Sequence, residues 1–173
     1  MTDDFPFLAA VAADGAAPYR LLEHLNALGV SISRSTLYRR VGELVAQGLL
    51  RETKEKSERG SRPLTLTRKG QARLGSGSVR VLREESLASP LFALAVAAAD
   101  AADDGETEGI LRERMSGAAR QLTRAERADT AAGDAFWAST ERERRVAHLK
   151  ADLQWLQTVV ARRSAAGPAS LAA

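Results

Sequence analysis

Between Arg34 and Arg73 the chain carries eleven Lys/Arg and four Asp/Glu, a local net of +7 in a 173-residue protein whose overall net charge is +3. From Ser76 to Ala173 thirteen basic residues meet fourteen acidic ones, a net of −1. Positive charge gathered in one stretch is the footprint of a polyanionic partner. Two groups within it suit double-stranded DNA. Arg34, Ser35, Thr36, Tyr38, Arg39 and Arg40 combine guanidinium forks, which bind guanine edges or phosphate, with hydroxyls that bond phosphate. Lys54, Lys56, Arg59 and Arg62 cluster around Gly60, where a tight turn can carry positive charge to the DNA backbone or the neighbouring minor groove.

Other chemistries find little to hold. There is no cysteine, which excludes disulfides, thiol catalysis and zinc–thiolate sites. Two histidines provide neither a triad nor a metal cluster. His148 and Asp152 stand four apart on a predicted helix, but two ligands are too few for a metal, and a surface hydrogen bond or ion pair accounts for them. Gly75-Ser76-Gly77-Ser78 lacks the flanking strand and helix of a nucleophile elbow or phosphate loop. The expectation is a protein that is not an enzyme and uses no cofactor and no metal. The longest apolar run, Leu91 to Ala99, is nine residues, too short to cross a bilayer, and the start Met1-Thr2-Asp3-Asp4 is acidic where a signal peptide is basic. A cytoplasmic protein with no membrane partner is expected.

The elements that would position these residues can be read from periodicity. Residues 4–13 form a short apolar helix, stopped at Asp14-Gly15. A second helix starts at Pro18, carries Leu21, Leu22, Leu25 and Leu28, and ends at Gly29. Ser33 or Ser35 caps a third, with Leu37, Val41, Leu44 and Val45 as its buried stripe and Gly48 at its end. Residues 49–53 and 64–67 read as two strands of a hairpin with a long basic tip. Thr67 caps a helix through Leu74, and Gly75-Ser76-Gly77-Ser78 reads as a hinge. The rest is helical: residues 91–102, stopped near Gly105; a helix from about Thr107 bearing Leu111, Met115, Ala118, Leu122 and Ala125; and a last helix over 135–163. On that last helix Val146, Leu149, Leu153, Leu156 and Val160 repeat at three and four, a heptad-like seam fit for dimerisation. The fold class is mainly α with a small β hairpin: a winged helix-turn-helix domain followed by an α-helical dimerisation domain.

Ser35-Thr36-Leu37-Tyr38-Arg39-Arg40-Val41, then Leu44 and Gly48-Leu49-Leu50, resembles the recognition helix of PadR-type transcriptional regulators. Arg59-Gly60-Ser61-Arg62-Pro63, followed by Leu66-Thr67 and Gly70, is similar to their wing and the helix after it. His148-Leu149, Leu153 and Trp155-Leu156 look like the end of the helical domain of the longer, virulence-activator-like members. There are departures: Ala17-Pro18-Tyr19 stands where the family often has His-Gly-Tyr, and the usual wing tyrosines are missing. The resemblance implies a homodimeric, DNA-binding regulator, most often a repressor, on a pseudo-palindromic operator, with a small-molecule effector of unspecified identity as a further partner.

The expected organisation is a DNA-binding winged domain over 1–75, a hinge or linker helix over 76–88, a helical dimerisation domain over 89–163 and a disordered tail over 164–173. The alternative is a protein-interaction module whose basic face binds an acidic protein. Tyr38 is read as a DNA-backbone contact in preference to packing on the hairpin. Trp137, with Phe136, and Trp155 are read as structural anchors in preference to pocket walls.

Overall fold

Helix α1 (Phe5–Asp14) is apolar on almost every side, and Phe5, Phe7, Leu8, Ala9, Ala10 and Val11 are all buried. A helix without a polar face belongs in the middle of a core. Accordingly α1 packs on α2 (Pro18–Ala27), on both later helices of this unit, α4 (Arg68–Glu84) and α5 (Pro90–Ala97), and on strand β2 (Leu64–Leu66). The computed structural model describes residues 4–14, 18–27, 29–53, 62–101, 104–129 and 136–166.

Helices α2 and α3 (Arg34–Ala46) pack on each other, and α3 also packs on β1 (Leu50–Glu52). The turn after each helix has one cause. Gly29 and Gly48 take φ of 77° and 70°, left-handed values that glycine alone adopts without a steric penalty. Each lets two amides turn back on the helix end: Gly48 N donates to Val45 O and Leu49 N to Leu44 O, both at 2.9 Å. Strands β1 and β2 pair antiparallel with Leu50 opposite Leu66, Arg51 opposite Thr65 and Glu52 opposite Leu64. Three helices followed by this hairpin make the winged helix-turn-helix arrangement. The chain is mainly α throughout, with this two-stranded sheet among the described residues.

Four expectations change. The hinge at Gly75-Ser76-Gly77-Ser78 is the middle of α4, a continuous 17-residue helix. Its small residues answer a packing demand. A Cβ on Gly77 would stand 2.8 Å from Phe5 Cδ2, and Gly75 and Ser78 are buried in line with Leu74, Val81 and Leu82. The helix expected to run to residue 102 ends at Ala97 and continues as a short 3-10 turn, Ala99–Ala101. Gly105, expected as a stop, lies in the first turn of α6 (Asp104–Asp129). The last helix, α7 (Phe136–Ala166), holds 31 residues, so Ser164 to Ala166 are helical, while the tail from 167 and the wing tip at 54–61 lie outside the described residues.

The chain divides into two compact units, Met1–Thr107 and Glu108–Ala173, so α4 and α5 belong with the winged helices. In the second unit α6 and α7 run antiparallel. Lys150 Nζ reaches Glu126 Oε1 at 3.1 Å, and further along α7 and further back along α6 Ser164 Oγ bonds Glu108 Oε1 at 3.0 Å and accepts from Arg112 at 3.0 Å.

Candidate nucleic-acid interface

Helix α3 starts at Ser33, an extended residue whose hydroxyl accepts from Thr36 N at 3.1 Å. The same oxygen lies 2.9 Å from the hydroxyls of both Ser35 and Thr36, so three hydroxyls cluster at the helix start. No acidic residue sits in the first turn. Free amides and the positive end of the helix dipole there favour an anion such as phosphate.

Leu37, Val41 and Leu44 are buried. At about 100° per residue that stripe leaves Ser35, Arg39 and Gly42 on the opposite face and Tyr38 on its flank, while Arg34 opens the helix one turn before the stripe; all five are exposed. Tyr38 is 51% exposed. Gly42 is a residue that composition did not flag: open space lies where its Cβ would stand. Thr36 is half-buried on the flank.

Arg40 takes a different place from the other residues of its group. Its side chain is only 15% exposed, against 63% for Arg39. It bonds Asp4, just before α1, and donates through Nη1 to Glu43 Oε2 at 2.6 Å. Arg40 thus ties α3 to the residue that precedes α1. Arg39 Nη1 donates to the other oxygen of Glu43 at 2.5 Å. Arg73 of α4 approaches Asp4 from outside, at 3.8 Å. Sequence spacing could reveal the Arg39–Glu43 pair, four apart on a helix, but not Asp4, 36 residues from Arg40.

On the hairpin, Arg62 is exposed and lies 3.6 Å from Glu52 across the sheet, and Arg51 Nε bonds Thr65 Oγ1 at 3.1 Å. Lys54, Lys56 and Arg59 lie outside the described residues. Lys69, at the start of α4, donates to Gln47 O at 2.9 Å and adds a cation beside the end of α3.

The Arg40 hydrogen bond, foremost, and the charges of Arg39 and Arg40 hold the Glu43 carboxyl below its ordinary value of 4.5. Arg112 and Arg144 do the same for Glu108 and Glu141. A carboxylate with a lowered folded-state pKa stabilises the fold fully above its unfolded value, and that stability is lost as pH falls through the lower, folded value. The melting temperature is expected to hold from neutrality to about pH 5 and to fall below about pH 4.5, with the fall reduced in Glu43→Gln. Melting followed by circular dichroism across that range checks it, and a fall that begins well above pH 5 would overturn it.

The proposed dimer seam is divided. Leu156 and Val160 are buried within the chain, while Val146, Leu149 and Leu153 are half-buried. The same side of α7 carries the bonds of Lys150 and Ser164 to α6, so this stripe serves the chain's own packing. A second stripe is open. Trp137 and Trp155 stand 18 residues apart, five full turns, and so share a face; they are 78% and 38% exposed. Phe136 stacks edge-on against Trp137 with ring centres 5.0 Å apart.

A cavity of about 720 Å³ opens beside β2, with Val11, Leu64, Leu66 and Leu74 as apolar walls and Gln71 and Asp100 as polar groups. Among the described residues no group of three or more His, Asp or Glu is placed to hold a metal, and no helix is long and apolar enough to cross a membrane.

No family model matches the chain, and no curated protein matches it. Among solved structures it is similar to Bacillus subtilis PadR in complex with operator DNA, with a TM-score of 0.39 and 13% identity over 93% of this chain and 99% of that one. The same protein in complex with p-coumaric acid gives a TM-score of 0.39 and 14% identity over 95% of this chain and 99% of that one.

Proposed function

We propose that the chain is a homodimeric, sequence-specific DNA-binding transcriptional regulator, a repressor, that reads a pseudo-palindromic operator. The observation that carries this reading is the exposed face of α3, where Arg34, Ser35, Tyr38 and Arg39 project from a helix start free of acidic residues. A helix N-terminus of this kind enters the major groove in helix-turn-helix proteins, with the first turns on base edges. Arg34, Ser35 and Tyr38 would dock on phosphate and Arg39 would read a base. The wing, through Arg62 and the basic tip, would position the protein on the backbone. Residues 1–75 would supply the DNA-binding part, and α7 the dimer, through its tryptophan stripe. A small-molecule effector belongs to the proposal, with the cavity beside β2 as its seat, since an occupant there would bear directly on a wing strand.

The testing experiment is selection of bound sequences from a pool of random duplexes. An inverted repeat is expected, its half-sites one helical turn or a small multiple apart. Recovery of no duplex, or salt-insensitive binding, would favour an acidic protein partner.

Arg39→Ala is expected to cost about 1–3 kcal/mol on the selected duplex and to relax preference at one base per half-site. Its melting temperature should scarcely move, because an exposed pair one helical turn apart contributes little, about 0.3–0.5 kcal/mol. Arg40→Ala should do the reverse, lowering the melting temperature by leaving Asp4 without its α3 partner. Repeating the selection and the melt on both variants decides between them, and equal loss of base preference in the two would give Arg40 a share in base reading.

A further inference from the structure

We propose that Glu43 and Asp4 set the specificity of α3: Glu43 holds Arg39 ready for a base edge, and Asp4 withdraws Arg40 so that Glu43 stays shared between the two arginines. The inference rests on the DNA-binding reading and concerns residues on which that reading makes no demand.

The charges form a chain across three elements. Arg73 of α4 faces Asp4, Asp4 bonds Arg40, Arg40 bonds Glu43, and Glu43 bonds Arg39. Three arginines thus meet two carboxylates. Asp4 and Arg40 are each about 15% exposed at the side chain, so the inner pair is fixed by packing. Glu43 is the middle link, with one oxygen on each arginine at 2.5 and 2.6 Å.

An unrestrained arginine loses much rotamer freedom when it docks on a base. Glu43, one turn along the helix, takes up one N–H of Arg39 and removes part of that freedom beforehand. Four further N–H donors remain for a bidentate grip on guanine. Glu43 also keeps a negative charge on the edge of the reading face. Random binding is supplied by phosphate attraction, so this charge weakens random binding most. On a matching site the positioned Arg39 offsets it. Repulsion of the wrong partner and preparation for the right one are the two means of specificity, and Glu43 supplies both. Asp4 is needed because Arg40, if released, would add an unselective cation at the same edge.

The test uses the full chain, with two probes: the duplex most enriched by the wild type from a random pool, and a mixed-sequence duplex without that site. Glu43→Gln is expected to bind the mixed duplex severalfold more tightly and to lower the ratio of specific to mixed binding by roughly tenfold. In an Arg39→Ala background, Glu43→Gln should leave that ratio unchanged, because the residue it positions is gone. Asp4→Asn should steepen the salt dependence on the mixed duplex by about one unit per monomer, from the freed Arg40. A purely structural Glu43 would alter the melting temperature but not the ratio. An unchanged ratio in Glu43→Gln, or an equal fall in both backgrounds, overturns the inference while the DNA-binding reading stands. A wild type that binds neither duplex overturns both.

Discussion

Gly70→Ala is expected to destabilise the protein by about 3 kcal/mol and to dislodge the wing. A Cβ at this position would lie 2.0 Å from Leu49 O and 3.0 Å from Leu49 C, with Leu66 Cδ2 at 3.3 Å. The obstruction is backbone, so no rotamer change relieves it. The carbonyl is also occupied: Leu49 O accepts from Thr67 N at 3.0 Å, and the Thr67 hydroxyl caps α4 at Gly70 N while donating to Gly48 O at 2.6 Å. Moving β1 away would break these bonds together and pull Leu49 and Leu50 from the core. Thermal melting and limited proteolysis between residues 53 and 62 measure the effect. A variant that melts like the wild type and resists cleavage would show that β1 shifts without cost.

Trp137→Arg combined with Trp155→Arg is expected to convert the proposed dimer to monomers and to weaken binding to the selected duplex by about two orders of magnitude or more. Linked half-site readers gain about 10²–10⁴ in avidity, and this gain is lost when the link is broken. The two indoles lie on one face of a helix about 46 Å long and are the large apolar side chains that this face leaves to solvent along with Phe136. A second copy related by a two-fold axis would cover them, as closed oligomers cover self-complementary patches. Helix content should be unchanged. Leu156→Ala makes the contrast: its side chain is buried within the chain, so it should cost about 2–5 kcal/mol of stability. Sedimentation velocity at micromolar concentration reads the first effect, and a dimer that survives both arginines places the interface elsewhere.

The winged part was legible in the sequence because its signals are local. Ser33 as cap, the Leu37–Val41–Leu44 period and Gly48 after the helix each need only a few neighbouring residues to be understood. Gly75-Ser76-Gly77-Ser78 misled because small polar residues signal a linker as readily as a tight helix crossing. What decides is Phe5, seventy-two residues before Gly77 and invisible to any window. Arg40 is the same case: its type and spacing suit DNA, but the flank of α3 on which it falls meets Asp4. On α7 the heptad period marks a stripe whose last two members, Leu156 and Val160, are buried and whose first three are half-buried. Periodicity carries no information on whether the cover comes from the same chain or another; the bonds of Lys150 and Ser164 to α6 lie beyond any window of the sequence.

Gly42 gives α3 a mechanical property. Glycine in a helix interior forgoes about 1 kcal/mol relative to alanine, and no neighbour of Gly42 demands the small residue. Below it in the chain Ser33, Leu37 and Val41 anchor the first turns; beyond it Leu44 and the Gly48 turn anchor the last. The softest point of α3 thus lies between two clamped ends, on the side that faces outward. Such a helix would yield like a leaf spring, bowing between its fixed ends while its roots stay in the core. A groove whose width varies with base sequence would then be met by elastic adjustment of one helix, without movement of the body that carries it.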